Sequence, residues 1–600
     1  MPRVQRARIT DDEVIELPIN TQYLRRLLRY LRPYRRQVVL SVLVMLAAAA
    51  AGLVSPMVLK IALDEYIESS RFSGLPLLAL TLLAASVIST LCVRWKVLLM
   101  DISGRRALAT LRDDLFSHIH TLSFDFFDTR SAGKIMVRVI NDVNSLLDLF
   151  SNGVVTALTN MVTLFLVAGV MLYLDVKLAL VAFVTIPLLL AFLLLLRPAV
   201  KNAWRVVRIK MSNMNGYLHE SLSGMRVTQA YVREEENSRI FREVNDDIYR
   251  SWMHACRLNN LFGPSIETVS VLGTCLIYFF GVRWMYGGDA ALTMGTLLSM
   301  TWYAGHFWEP LNSLSNLYSQ LQVAMASLER IYSIMDTPAL IKDKPDAYEM
   351  PDIEGHVEFD HVTFGYDPEQ VVLDDVSFSV EPGQTIALVG PTGAGKSTVV
   401  NLISRFYDAR GGAVRIDGHD VRDVTLRSLR SHMGIMLQDP FIFSGTIMDN
   451  LRYGRLDATD EEVIAAASAV GAHEFIMRME DGYKTEVNER GSRLSQGQKQ
   501  LIAFARALLA NPRIMILDEA TSSVDTHTEI LIQKALEKLL AGRTSFVIAH
   551  RLSTIRKADR IMVVSGGTIQ ESGTHDELMA AKGMYYELCR AQYQFLEEQD

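Results

Sequence analysis

The stretch 384–403 reads QTIALVGPTGAGKSTVVNLI, a β-rich run, a glycine-rich turn and the opening of a helical pattern. Glycines at 390, 393 and 395 let backbone amides close around phosphate oxygens, Lys396 is spaced to reach β and γ phosphates, and Ser397 to ligate magnesium. Further on, the run Ile514, Met515, Ile516, Leu517 ends in Asp518 and Glu519. A buried strand that delivers two carboxylates to its carboxyl end puts them where open α/β sheets bind ligands. Asp518 is then a candidate to hold magnesium, directly or through water, and Glu519 to polarise a water attacking the γ phosphate. Alone, the acidic pair reads equally well as a solvated turn after a strand. Coupled to the glycine loop, it points to ATP and Mg2+ handled by an α/β P-loop domain.

Such a domain needs alternating strands and helices, and from His356 onward short β-branched runs alternate with helical patterns as a mostly parallel sheet requires. The preceding half differs. Half of all residues are hydrophobic although 21% are charged, a combination that joins a membrane part to a soluble one. At 1.5 Å per residue, about 20 mostly apolar residues cross a bilayer. Six stretches qualify, 37–58, 74–98, 152–173, 178–197, 264–285 and 293–318, the last being the least apolar. The first is too long for a signal-peptide core and should stay in the membrane.

The connections after the second and fourth spans are long and charged at helical spacing, as in RRALATLRDDLFSHIH, and each is expected to form two helices projecting beyond the bilayer. Lys and Arg concentrate there and before the first span, so the N-terminus, the long loops and the C-terminal half are expected on the cytosolic side of a cell (inner) membrane. Tyr23, Leu24, Leu27, Leu28 and Leu31 alternate with Arg25, Arg26, Arg29 and Arg32, the pattern of an amphipathic helix at the interface, with arginine heads near anionic lipid and leucines in the acyl boundary. The divisions that follow are a tail and interfacial elbow (1–36), a membrane domain (37–322), a linker (323–355), a nucleotide-binding domain (356–591) and a tail (592–600). A net charge of −7 argues against nucleic-acid binding. Cys92, Cys256, Cys275 and Cys589 have no metal or disulfide spacing and read as packing residues.

Just upstream of the acidic pair stands LSQGQKQLIAFARALL (494–509), which resembles the signature helix of ATP-binding cassette proteins. Six spans, two long cytosolic loops and a C-terminal cassette are together similar to exporter half-transporters of the bacterial multidrug and lipid type. The resemblance implies roles residue by residue. Nucleotide would be held by Gly390, Pro391, Thr392, Gly393, Ala394, Gly395, Lys396, Ser397 and Thr398, with Tyr366 of FGY stacking on adenine. Gln438 of MLQDP would touch magnesium and the attacking water, joining Ser397 and Asp518 as metal ligands and Glu519 and His550 as catalytic groups. His550 of VIAHR would contact the γ phosphate, and Asp525 of SSVD would cross to the partner cassette.

In this family Ser495, Gly497 and Gln498 close the site of the opposite cassette, so two subunits are implied. Gln496 departs from the usual LSGGQ glycine, and a catalytic Glu519 kept beside an altered signature favours a heterodimer, with a homodimer as the alternative. FDFFDTRSAGKIMVRVINDV (124–143) and ESLSGMRVTQAYVREEE (220–236), with turns expected at Gly133 and Gly224, resemble coupling regions that dock on cassettes. The resemblance implies ATP-driven export of drugs, lipids or peptides by alternating access. An ATP-gated channel or regulatory subunit, and an importer on the exporter fold, remain as other readings. Within the spans Arg94, Lys96, Glu267, His306 and Glu309 are ionisable, which marks a cavity or a paired site. His306 and Glu309, beside Trp302, Tyr303 and Trp308, are the candidates for the substrate path, and an interhelical polar pair is the equal alternative.

Overall fold

The structure, a computed structural model, describes residues 20–67, 72–149, 153, 155–287, 292–367, 369–436, 438–488, 491–518, 526–549 and 552–597 of the chain. It divides into two compact units. One runs up to His120 and resumes over Ala132–Thr337; the other joins Thr121–Ser131 to everything from Pro338 on.

The first unit is helical. It holds α1 (Thr21–Leu31), α2 (Arg35–Ile61) and α3 (Leu75–Thr121), and, past the short α4 (Phe124–Asp128), α5 (Ala132–Val137), α6 (Val143–Asp148), α7 (Val155–Leu174), α8 (Val176–Phe183) and α9 (Thr185–Ser223). The last four are α10 (Met225–Ala230), α11 (Glu234–Asn259), α12 (Phe262–Tyr286) and α13 (Met294–Met335). The break between α8 and α9 has a local cause: Pro187 has no N–H for the carbonyl of Phe183 and its ring would clash there, so the helix restarts after Val184.

Among the described residues, Thr21–Ile67, Phe72–Thr121, Thr156–Leu174, Val176–Ser223 and Glu234–Tyr286 are long and apolar enough to cross a membrane. The sixth expected span lies on α13, and neighbouring helices cover its first turns. Leu297, Met300 and Tyr303 are buried among Val167, Met171, Leu178 and Ile277. Polar groups at such depth need partners. Tyr303 donates its hydroxyl to the Leu53 carbonyl at 2.6 Å, and Ser299 to the Pro56 carbonyl at 2.7 Å. At the far end Asp64 caps α13, accepting from Thr293 Oγ1 at 2.6 Å and from the Gly295 amide at 2.9 Å.

The interval 323–335 was expected to be linker and is helix. It has no long apolar run, but Ala324, Met325, Leu328, Ile331 and Tyr332 recur at helical spacing and are buried. α13 therefore continues to Met335.

In the second unit the strands are β1 (Val357–Phe364), β2 (Leu373–Val380), β3 (Thr385–Val389), β4 (Gly411–Ile416), β5 (His419–Asp420) and β6 (Met433–Met436). They continue with β7 (Gly445–Thr446), β8 (Glu486–Val487), β9 (Ile514–Asp518), β10 (Thr544–Ile548), β11 (Arg560–Ser565) and β12 (Thr568–Gly573). A six-stranded sheet of order β12-β11-β3-β10-β9-β6 forms the centre, antiparallel only between β11 and β12. A four-stranded sheet, β2-β1-β4-β5, is antiparallel. β9 and β10 are almost wholly buried, as strands covered on both faces must be. α14 (Lys396–Ile403) follows β3, and α15 (Leu426–Ser431), α16 (Ile447–Arg452), α17 (Asp460–Ala469), α18 (His473–Met477) and α19 (Gln496–Ala510) lie between β5 and β9.

Candidate functional site

β3, β10 and β9 are parallel neighbours, with Leu388 beside Ile548 and Ile548 beside Asp518. The Gly390 turn and the Asp518 carboxylate thus leave the same edge of the sheet, the edge at which α/β sheets bind ligands. Gly390 has φ +146°, and a Cβ there would lie 2.1 Å from the Val564 carbonyl oxygen. Only glycine fits. Gly395, at φ +107°, caps the start of α14.

Lys396 is buried, and its Nζ donates to the Gly390 and Pro391 carbonyls at 2.8 Å each. Burial pushes its ammonium down from lysine's ordinary value, and the Asp518 carboxylate opposes that shift. Pro391, Thr392, Gly393 and Ser397 are exposed along the loop, while Ala394 and Thr398 are buried beneath it. Exposed amides, a helix N-terminus, a lysine and a carboxylate form a cradle for a polyphosphate.

Tyr366 stands beyond β1 with its ring about half exposed. Its hydroxyl lies 3.2 Å from Thr398 Oγ1 and accepts from Asn401 Nδ2 at 3.3 Å. Phe364 and Tyr407 meet the ring edge-on, each at 5.0 Å between centroids. That leaves a braced aromatic surface able to stack a base.

Gln438 is exposed just past β6. Ser495 caps α19 in a reciprocal box: its hydroxyl accepts from the Gln498 amide at 3.3 Å, and Gln498 Oε1 accepts from the Ser495 amide at 2.9 Å. Gly497 is buried in the first turn. Gln496 donates from Nε2 to Asp439 Oδ1 at 3.1 Å, so the unexpected signature residue contacts the residue after Gln438. Glu519, Asp525 and His550 lie outside the described residues.

Sequence reasoning passed over several residues that support this site. Arg506 of α19 is largely buried and donates to the Asn450 and Phe441 carbonyls and to Asn450 Oδ1 at 2.9–3.1 Å, joining α19 to the segment after Gln438. Tyr407 donates to Asp128 of α4 at 2.6 Å, and Phe406 packs on Phe124 at 4.8 Å. The FYD run after α14 is an aromatic cluster on otherwise polar ground, and that was the available signal; the FDFFD run it meets opens the stretch 124–143 expected to dock on a cassette.

Residues 38–311 match the ABC transporter transmembrane region, and 373–522 match the ABC transporter family. An uncharacterised ABC transporter ATP-binding protein of Bacillus subtilis, YknV, is 45% identical over 98% of both chains. The chain belongs to the ABC transporters. An ATP-dependent lipid A-core flippase of Syntrophus aciditrophicus is 36% identical, covering 95% of this chain and 94% of its own. The solved structure of a bacterial Atm1-family ABC exporter with ATP bound superposes with a TM-score of 0.75 at 29% identity, over 93% of this chain and 98% of that one. This ABC exporter is therefore a membrane protein with a fused ATP-binding cassette.

In its membrane unit, Leu59, Tyr278, Leu298, Thr301, Trp302, Gly305 and His306 line a cavity of about 490 Å³. His306 stacks on Trp302 with centroids 3.7 Å apart, and its Nδ1 lies 3.1 Å from the Trp302 carbonyl oxygen. Tyr303 points elsewhere, buried against α2, because its hydroxyl is taken by Leu53. The side chains of Trp308 and Glu309 lie outside the described residues.

Proposed function

We propose that this exporter hydrolyses ATP to drive hydrophobic or amphipathic molecules, lipids or drugs in the first place, out of a cell as one subunit of a dimer. The observation that carries the reading is the convergence of the Gly390 turn, Lys396 and Asp518 on one edge of the sheet. Lys396 would exchange its two carbonyls for phosphate oxygens. The exposed loop amides would hold the β phosphate, and Tyr366 would carry the adenine, a stacking contact of roughly 1–3 kcal/mol. Ser397, Asp518 and Gln438 are oxygen donors of the right kind for a magnesium ion, which supplies charge neutralisation on the β and γ phosphates. Glu519 would orient and deprotonate the attacking water, His550 would contact the γ phosphate, and Asp525 would reach the partner cassette.

Ser495, Gly497 and Gln498 at the start of α19 would face the partner's γ phosphate. Gln496, whose Nε2 bonds to Asp439 of its own chain, stands where the usual signature has glycine, and this altered signature beside a retained Glu519 favours a heterodimer. His306 and the cavity beside Trp302 suit an amphiphile, and the flippase among the relatives favours a lipid. The cassette would lie in the cytosol and the spans in a cell membrane, a reading that the distribution of Lys and Arg supports.

The test is magnesium-dependent ATP hydrolysis by the chain alone in lipid, beside Glu519→Gln. Turnover lost on substitution is expected of a self-sufficient dimer. A folded chain that binds ATP and never turns over needs a different partner, while failure to bind ATP would sink the reading.

A further inference from the structure

α1 has two faces of different chemistry, and they divide the arginines that the sequence pattern grouped together. Tyr23, Arg26, Leu27 and Tyr30 turn inward. Tyr23 stacks on Tyr332 at 5.4 Å, Leu27 is fully buried, and Tyr30 donates to Asp114 of α3 at 2.9 Å. Arg26 forks onto both carboxylate oxygens of Asp336, at 2.7 and 2.8 Å, with its guanidinium 3.9 Å over the Tyr332 ring. Arg26 and Leu27 therefore do not meet lipid as expected, because Asp336 and Tyr332 already occupy Arg26 and Leu27 is fully buried.

The opposite face carries Arg25, Leu28, Arg29 and Arg32, all exposed, followed by exposed Arg35 and Arg36. None of these arginines forms an ion pair among the described residues. They run up to and into the first turn of the apolar α2, whose Val39, Leu40 and Leu43 are themselves exposed, as lipid-facing residues are. An orientation signal needs only positive charge near a span. Here the charges stand at helical spacing on a helix whose rotation is fixed by four inward contacts, so they present one set surface.

We propose that the outer face of α1 binds anionic lipid headgroups and that Arg26 transmits this contact to the end of α13. Opposite charge and the immediate approach of the first span identify the occupant. The receiving point is the C-cap of α13: Asp336 is held by Arg26, and the next carbonyl, that of Thr337, lies 3.0 Å from His118 Nε2. The last turn of α13 precedes the cassette in the chain, so lipid bound to α1 stiffens the helix from which the cassette continues. This reading goes beyond ATP-driven transport and does not depend on its substrate or its partner subunit.

The experiment is hydrogen exchange of the full-length chain in nanodiscs of phosphatidylcholine alone and with phosphatidylglycerol added. Phosphatidylglycerol should slow exchange several-fold in 21–31 and in 330–336, and raised salt should weaken the effect. Arg25→Gln, Arg29→Gln and Arg32→Gln together should abolish both responses. Arg26→Gln, and independently Asp336→Asn, should keep the response in 21–31 and lose it in 330–336. No response to phosphatidylglycerol, a response that survives the triple substitution, or one in 330–336 that survives both single variants overturns the proposal. Equal protection in both lipids that disappears when Asp11, Asp12, Glu13 and Glu16 are neutralised would assign the face to the chain's own acidic stretch, and would overturn it too.

Discussion

Lys396 is buried, loses part of its preference for charge to that burial, and is held by two backbone carbonyls of the loop it leaves. Those carbonyls are weak substitutes for a phosphate, whose full charges an ammonium meets through charge-assisted bonds. Lys396→Ala is expected to lower ATP hydrolysis by roughly a hundredfold or more, the loss seen when one preorganised donor is removed from a developing charge. The fold should survive, because the loop keeps its shape through Gly390 and Gly395 and both carbonyls face an open cradle. Steady-state ATPase beside far-UV circular dichroism checks both halves. A variant that hydrolyses ATP at the original rate would remove Lys396 from the site. Residues of this kind are legible in the amino-acid chain because their spacing is dictated by the size of a phosphate. Arg506 and Tyr407 are not, since their roles come from partners far away in the chain, Asn450 and Asp128, that only folding brings near.

At the scale of elements, the joint between α13 and the helices after α4 rests on one carboxylate. Asp142 is buried, and it accepts from Arg330 at 2.6 and 3.0 Å, from Arg138 at 3.1 Å and from Ser327 at 3.2 Å. Burial alone would raise its pKa, but the Arg330 and Arg138 guanidiniums win and hold it below the ordinary aspartate value of 3.8. A depressed carboxylate contributes stability that is complete above its unfolded pKa and fades as pH falls through the folded one. Exchange protection of α13 around Arg330 should therefore be flat from neutral pH down to about 5 and fall below about 4. Asp142→Asn should lower it by about 1–2 kcal/mol at neutral pH, since two guanidiniums lose their counter-charge but remain partly exposed to solvent. Unchanged protection in the variant would mean that packing of Leu328 and Ile331 alone carries the joint. Such joints explain which elements were readable beforehand. The apolar spans and the P-loop helix announce themselves by composition and by motif. The continuation of α13 to Met335 did not, because a helix without a long apolar run resembles a linker until its buried stripe has a partner. The inward turn of Arg26 was equally hidden, for an arginine on an amphipathic helix looks solvated until Asp336 arrives.

At the scale of the whole molecule, the first turn of α19 decides how many chains are needed. Ser495 caps its own helix and Gln498 returns the bond, so the helix N-terminus is formed and aligned within one chain. Its amides and its positive end then suit an anion supplied from elsewhere. If the chain pairs with itself, each site combines the P-loop of one copy with the signature of the other, and damage can be sorted by copy. Lys396→Ala ruins a P-loop and Ser495→Arg ruins a signature by placing bulk and charge at the cap. Alone, either variant should be inactive, because every site contains one defect. Co-expressed and purified through two different tags, the mixed dimer has one site with both defects and one with neither. It should recover up to about half of the original ATPase if the sites act independently, and less if they act only together. Recovery would establish pairing of like chains and would show that Gln496 is compatible with turnover. No ATPase from the unsubstituted chain, although it dimerises and binds ATP, would mean that a signature carrying Gln496 cannot complete a working site. The glycine that Gln496 replaces must then come from a different subunit.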